Sequence, residues 1–183
     1  DLGFHQQGYK TIWANDIDQW AAATFRKNFG DIITQKNIEN IDPYSNNIPD
    51  CDIILGGFPC QDFSIIWKQH GLHGNRGSLY KNFLRFVDAK KPKVFVAENV
   101  KGLLSANKNQ AIETIIRDFE RIEPGYLVKI QLYNFAEYGV PQFRERVLIV
   151  GVRLDTAFEF FHPAPTHGKG RTKPYVTAGE ALN

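Results

Sequence analysis

The sequence contains no methionine and only two cysteines, Cys51 and Cys60. Two cysteines cannot build the disulfide framework of a small secreted domain, and their spacing fits no zinc-binding pattern. No apolar run approaches the length that crosses a membrane, and no signal peptide is visible. These absences favour a globular protein of a reducing cytoplasm.

The 183 residues are enough for one domain with a substantial core, and 43% of them are hydrophobic. The net charge of +2 is compatible with a nucleic-acid partner but is too weak to argue for one alone. The sequence begins without an initiator methionine and ends like the opening of a helix. We therefore expect a fragment, or one piece of a split protein.

Apolar periodicity predicts strands alternating with helices along most of the chain. This order predicts an α/β fold, a doubly wound, mostly parallel Rossmann-like sheet. The last two strands have no helix between them, which predicts an antiparallel hairpin at one edge. The predicted strands cover residues 9–14, 32–34, 51–55, 93–97, 127–133 and 147–152, and the predicted helices cover 19–29, 78–89 and 108–122.

Two predicted parallel strands each end in a residue that could react. The first runs into Gly57-Phe58-Pro59-Cys60, where a turn would hold an accessible thiol, as suits a nucleophile. The next delivers Glu98 at its carboxyl end, the edge at which open α/β sheets bind ligands. A lone cysteine is more often a small buried hydrophobe, which is our interpretation of Cys51. Glu98 could instead cap a helix or pair with an arginine.

Several other charged residues could have either a binding role or a purely structural one. Asp16 follows a predicted strand, where an acid can accept hydrogen bonds from a ribose, and Ile17 beside it could pack on adenine. The alternative, that Asp16 merely closes a strand, is about as good. Arg144 and Arg146 could be surface charges of a hairpin, and Arg76 could belong to a turn.

The order of these segments is more informative than any one of them. The segments at residues 1–4, 13–18, 57–61, 76–79, 98–100, 138–141 and 142–146 together resemble the cytosine-5 DNA methyltransferases. The resemblance implies that the Cys60 thiolate adds to carbon 6 of cytosine, while a protonated Glu98 supports N3. Arg146, with Arg144, would bind O2 of the base.

The resemblance also implies a cofactor, S-adenosylmethionine, and a duplex DNA substrate from which the cytosine is flipped. Asn37 stands where the family usually has an aspartate near the adenine. The implied cofactor residues are Asp16, Ile17, Asn37, Ile38, Gly57, Pro59 and Leu79. The implied DNA contacts lie in or beside a mobile active-site loop at residues 61–77, and they are Gln61, Ser64, Ile66, Trp67, Lys68 and Arg76.

We expect residues 1–161 to form the catalytic domain and residues 162–183 to form a linker toward a target-recognition region. The glycine-rich cofactor segment and the closing segment of the family are also missing. A bacterial restriction–modification enzyme of the cytoplasm, associated with the nucleoid, is the leading interpretation. A non-catalytic DNA-binding relative, a split enzyme completed by a second polypeptide, and an RNA cytosine methyltransferase remain alternatives.

Overall fold

A computed structural model describes residues 1–59, 79–106 and 110–182. Within these ranges the chain forms six strands and five α-helices, joined by short 3-10 turns. The strands are β1 (Ala14–Asp16), β2 (Ile33–Gln35), β3 (Ile53–Gly56), β4 (Val94–Val100), β5 (Tyr126–Asn134) and β6 (Glu145–Arg153). The helices are α1 (Leu2–Gln6), α2 (Gln19–Phe29), α3 (Leu79–Lys90), α4 (Gln110–Glu120) and α5 (Ala178–Leu182), and the 3-10 helices are Ile38–Asn40, Lys101–Ser105 and Phe135–Tyr138.

The strands form two sheets. β1 and β2 pair in parallel, with Asp16 opposite Gln35. The other four lie in the order β3-β4-β6-β5, in which β3 and β4 are parallel neighbours. β6 is antiparallel to both β4 and β5, so it alone runs against the other three strands of this sheet. The arrangement agrees with the predicted mostly parallel sheet and its hairpin.

The main core lies between the four-stranded sheet and the helices α3 and α4. Phe95 and Ala97 of β4 are fully buried on this face, and the Phe95 ring stacks on Phe119 of α4 with 4.1 Å between ring centroids. Gly151 of β6 is directly beneath the Phe95 ring, where a Cβ atom would collide with it. Alternation along β4 therefore sends Glu98 to the opposite face of the sheet.

Helix α2 has the predicted bounds, but its apolar spacing predicts Trp20, Ala23, Phe25 and Phe29 as possible inward positions, and only Phe25 and Phe29 are partly buried. Asp18 caps the helix by accepting hydrogen bonds from the Trp20 and Ala21 amides, and Gly30 ends it with a φ of 90°. The residue fully buried is Ala22, while Trp20 is 73% exposed and Ala23 is exposed. Trp20 is two positions, or about 200° of helix rotation, from Ala22, so it faces away from the core.

The first predicted strand is also misplaced. Residues 9–13 form no strand, and β1 begins at Ala14 and ends at Asp16. The pairing with β2 explains the shift, because Ala14, Asn15 and Asp16 are the residues that lie opposite Ile33–Gln35. Helix α1 was not predicted from the sequence. The predicted loop at 61–77 lies outside the described residues.

Candidate active site

An ion pair occupies the carboxyl end of β4. Arg146 of β6 lies opposite Val100, two residues beyond Glu98, so both charged side chains are on one face of the sheet. The Arg146 Nε atom is 2.6 Å from Glu98 Oε1, and the two side chains are 20% and 41% exposed. Arg146 Nη1 also donates to the Glu145 carbonyl at 2.8 Å. The site therefore presents a guanidinium of fixed orientation and an accessible carboxylate side by side to a ligand.

The chain leaving β3 passes directly beside this pair. β3 and β4 are in parallel register, with Gly56 opposite Ala97, so the next residues are at the same sheet edge. A Cβ atom placed on Gly57 would be 3.8 Å from Glu98 Oε2. The sequence prediction that β3 and Glu98 converge at one edge is therefore confirmed. Cys60 itself lies outside the described residues.

Asn99 ties the two strand ends together from the core side. Its side chain is 2% exposed, and its Nδ2 atom donates to the Phe58 carbonyl at 2.9 Å. Its Oδ1 atom accepts from the Val100 amide at 2.9 Å. Phe58 is itself buried against Tyr80 and Phe83 of α3. The backbone two residues before Cys60 is thus fixed to the strand that carries Glu98.

Sequence reasoning assigned no role to Asn99, although a signal for one was present. In β4 the residues Phe95, Ala97 and Asn99 alternate with partly exposed ones, so period-two alternation places a polar side chain at an inward position. Buried polar side chains are almost always hydrogen-bonded to something specific. A buried asparagine beside a partly exposed glutamate therefore indicates a structural hydrogen bond at that position.

The predicted cofactor residues at the first two strands also share one sheet edge. Asp16 is the last residue of β1, and its Oδ1 atom accepts from the Asp18 amide at 2.9 Å. Ile17 is 66% exposed. Asn37 begins the turn after β2, where its Oδ1 atom accepts from the Glu39 amide at 3.0 Å. Ile38 is half-buried and packs on a smaller core cluster.

Asn15 fastens this edge. Its Nδ2 atom donates to the Thr34 and Lys36 carbonyls, each at 2.8 Å, and so holds the ends of β1 and β2 together. Asp16 and Asn37 are consequently fixed near each other, although no bond joins them in the described part of the chain. The sequence analysis quoted Asn15 within a motif without giving it a role.

The remaining predicted site residues are less constrained. Pro59 is exposed, and Leu79, at the start of α3, is 37% exposed. Arg144 is exposed one residue before β6, and its carbonyl accepts from the Phe135 amide. Thus Arg146, rather than Arg144, contacts Glu98. The predicted DNA contacts lie outside the described residues, and they are Gln61, Ser64, Ile66, Trp67, Lys68 and Arg76.

The other cysteine has no sign of reactivity. Cys51 lies just before β3 and is half-buried, and burial raises the pKa of its thiol. A raised pKa leaves little thiolate near neutral pH.

Within residues 1–59, 79–106 and 110–182, no group of three or more His, Cys, Asp or Glu could hold a metal ion. No helix in those ranges is long and apolar enough to cross a membrane.

Two solved structures share this fold. An E. coli prophage-encoded protein assigned as a DNA modification methyltransferase superposes with a TM-score of 0.73 at 26% identity, covering 100% of this chain and 50% of that one. The S. pombe Dnmt2 methyltransferase gives a TM-score of 0.65 at 19% identity over 87% of this chain and 48% of that one, a likeness of fold alone. The predicted Rossmann-like α/β fold class is confirmed.

The family follows from the sequence match. The model of the C-5 cytosine-specific DNA methylases matches residues 1–179, so the chain belongs to that family. The type II methyltransferase M.NgoFVII of Neisseria gonorrhoeae is 68% identical over 100% of this chain and 49% of its own length. The type II methyltransferase M.BbvI of Brevibacillus brevis is 40% identical over 95% and 47%, respectively. The chain spans about half the length of these curated relatives.

Proposed function

We propose that the protein containing this chain methylates carbon 5 of cytosine in double-stranded DNA, using S-adenosylmethionine and a covalent adduct to Cys60. The observation that supports this most is the Glu98–Arg146 ion pair beside the strand that leads into Pro59 and Cys60. Family membership and relatives named as type II methyltransferases support a role in restriction–modification. On this basis the protein would act on bacterial DNA in the cytoplasm.

The chemistry requires a nucleophile because carbon 5 of cytosine attacks a methyl donor poorly. The Cys60 sulfur adds to carbon 6, and the electron pair of the 5,6 double bond becomes available at carbon 5 while charge builds up at N3 and O2. Glu98 holds a proton at N3, and the Arg146 guanidinium donates to O2. After the methyl group is transferred, a base would accept the carbon-5 proton, and the electron pair left behind would re-form the 5,6 double bond and expel the Cys60 thiolate.

The geometry of the Glu98–Arg146 pair suits the role of Arg146 at O2 of the base. A planar guanidinium kept in place by Glu98 and by the Glu145 carbonyl has its orientation set before the base arrives. Preorganised donors of this kind stabilise developing negative charge without reorganising during the reaction. Arg144, exposed before β6, contributes less directly and stays a predicted second contact.

The residues at the edge of β1 and β2 fit the adenosine part of the donor. In the described ranges only Oδ1 of the Asp16 carboxylate accepts a protein hydrogen bond, so Oδ2 can accept from a ribose hydroxyl. The exposed Ile17 side chain offers an apolar face to adenine. When bound, S-adenosylmethionine supplies an electrophilic methyl group. Gly57, Pro59 and Leu79 would line its methionine end.

A cytosine within a duplex is out of reach of a thiol, so the base must be extruded at a cost of a few kcal/mol. We propose that residues 61–77 cover the extruded base. Gln61, Ser64, Lys68 and Arg76 would contact DNA, and Ile66 or Trp67 would fill the vacated stack. If Ile66→Ala leaves extrusion and turnover unchanged, that residue has no wedge role.

The relatives give no support to the alternative of a split enzyme completed by a second polypeptide.

A trapping experiment tests the proposal. The intact protein is incubated with S-adenosylmethionine and a duplex containing 5-fluorocytosine, from which no carbon-5 proton can be lost. We expect a covalent protein–DNA adduct that survives denaturing electrophoresis and maps to Cys60 by mass spectrometry. A parallel reaction with the corresponding RNA distinguishes a DNA enzyme from an RNA enzyme of the family.

The two cysteines of this chain supply a matched control. Cys60→Ser should abolish the adduct, whereas Cys51→Ser, at the half-buried thiol, should leave it intact. An adduct that persists in Cys60→Ser would show that the nucleophile is wrongly assigned. The absence of any adduct from intact protein that still binds the duplex would favour a non-catalytic DNA-binding relative.

A further inference from the structure

The last part of the chain carries an unbalanced positive charge. Residues 160–179 contain no Asp or Glu but include Lys169, Arg171 and Lys173. These are three of the 22 Lys and Arg residues, and the other 19 are outnumbered by 20 Asp and Glu. The net positive charge of the protein thus resides in this short segment.

The three cations sit on a folded loop. In the loop 166–173, the Gly168 amide donates to the Lys173 carbonyl at 2.9 Å, and the Lys173 amide donates to the Thr166 carbonyl at 3.1 Å. Gly168 and Gly170 have φ values of 127° and 75°, which side-chain-bearing residues rarely adopt. Lys169, Arg171 and Lys173 are all exposed, and none forms an ion pair with another described residue.

The loop is docked on the turn between β5 and β6. The amides of Thr166 and His167 both donate to the Glu137 carbonyl, at 3.0 and 2.9 Å. The His167 ring packs so closely on Gly139 that a Cβ atom there would be 2.8 Å from it. Gly139 has a φ of 89° and ends the 3-10 helix. The position of the loop relative to the hairpin is therefore fixed by the backbone.

That turn is attached to the face of the sheet that carries the ion pair. Tyr133 of β5 is directly opposite Arg146 in register, so its side chain is on the same face as Arg146 and Glu98. The ring of Tyr138, in the turn, lies 5.3 Å from the Tyr133 ring between centroids. The Tyr138 hydroxyl in turn donates to the Pro163 carbonyl at 3.0 Å. The basic loop therefore belongs to the same end and face of the sheet as the candidate active site.

We propose that the loop 166–173 binds phosphates of the DNA duplex whose cytosine is presented to Glu98 and Arg146. This inference rests on the proposed function and adds a contact surface to it. Exposed cations on a backbone-fixed loop hold phosphates in a defined register while reading no bases. The loop would thus set the position of the duplex over the site, independently of sequence.

Salt-dependent binding by the intact protein tests this role. Affinity for a short mixed-sequence duplex is measured between about 50 and 200 mM salt, comparing wild type with K169Q/R171Q/K173Q. We expect the slope of log K against log salt to become shallower by about 2 to 3, since each phosphate contact contributes about 0.9. The loss should be equal on unrelated duplex sequences.

A second triple variant controls for net charge. K93Q/R117Q/R121Q removes the same three positive charges elsewhere in the protein. Lys93 lies just before β4, and Arg117 and Arg121 are exposed residues on and just after α4. Helix α4 packs on the face of the sheet opposite to the candidate active site. We expect its slope to match that of wild type. If K169Q/R171Q/K173Q keeps the wild-type slope, or if both variants lose slope equally, the loop does not bind phosphates specifically.

A variant with all charges retained tests the loop geometry. Gly168→Ala strains a φ of 127° and brings a Cβ atom within 3.0 Å of the Tyr175 hydroxyl, so it should also weaken binding of the duplex.

The experiments distinguish a loop that does not bind phosphates from a protein that does not methylate DNA. A wild type that forms the Cys60 adduct, together with unaltered slopes in all variants, overturns only the inference. A wild type that binds duplex DNA but forms no adduct overturns only the methylation.

Discussion

Replacing Asn99 by alanine tests whether this side chain positions the backbone at Phe58, two residues before Cys60, independently of how much it stabilises the fold. The substitution removes the 2.9 Å bond to the Phe58 carbonyl and the 2.9 Å bond from the Val100 amide, both at a side chain that is 2% exposed. The Phe58 carbonyl and the Val100 amide would each lose one hydrogen-bond partner, which costs about 2–3 kcal/mol of folding stability in total. A domain stable by about 5–15 kcal/mol remains folded after such a loss.

The effect on the reaction should be larger than the effect on folding. A displacement of about 1 Å at a reacting group costs about 100-fold in rate. We therefore expect Asn99→Ala to slow formation of the Cys60 adduct by about that factor, while denaturant unfolding shows only the modest loss of stability. Asn99→Asp should be no better, since it replaces the donor to the Phe58 carbonyl with a second acceptor.

Tyr126→Phe is the matched control. It also removes a buried bond from a side chain to a backbone carbonyl, the 2.7 Å bond from the Tyr126 hydroxyl to Pro92, but near the start of β4, at the opposite end of the sheet. We expect it to cost about 1 kcal/mol of stability and to leave the adduct rate unchanged. Equal adduct rates in Asn99→Ala and Tyr126→Phe would refute the idea that Asn99 positions the backbone at Phe58 for the reaction.

Three further predictions concern the Glu98 carboxylate, the packing of the core and the effect of pH on stability. Glu98→Gln should lower methyl transfer by about 10²–10⁴-fold in a radiolabelled-methyl assay while duplex binding persists. Gly151→Ala should lower the free energy of unfolding by about 1–3 kcal/mol, because the added methyl collides with the Phe95 ring. Burial, followed by Lys129, lowers the pKa of His162 below its ordinary 6.5, so the unfolded chain binds a proton first and stability falls as pH drops below about 6.5. Urea titrations at about pH 7.5 and 5.5 should show this loss in the wild type and less of it in His162→Gln.

The strands and helices predicted well are those whose signals are local. The bounds of α2 follow from a capping aspartate and a terminal glycine, and the presence of β3 and β4 follows from short apolar runs between turn residues, although β4 continues to Val100, three residues beyond its predicted end. The β5–β6 hairpin follows from the absence of a helix between two strands. In each case the residues that decide the outcome are within or next to the element itself.

The predictions that were wrong concern features that residues distant in the sequence determine. Trp20 looks like a core residue by type, but the buried face of α2 is fixed by Ala22 against the rest of the fold. The apolar residues Tyr9, Ile12 and Trp13 suggested a strand, yet the pairing partner β2 selects Ala14–Asp16. Propensity marks residues able to form an element, and tertiary pairing determines which ones do.

Strand register also separates Arg146 from Arg144, which the sequence analysis put together at O2 of the base. The two residues are two apart, so in an extended chain both would point to the face of Glu98. What separates them is register. β6 is inserted between β4 and β5 so that Arg146 is opposite Val100, while Arg144 precedes the strand and is exposed. A shift of this register by two residues would preserve every inward and outward position of β6 yet put Arg144 beside Glu98 instead. The alternation of apolar residues cannot distinguish these two registers, so the identity of the arginine at the site is a property of the assembled sheet.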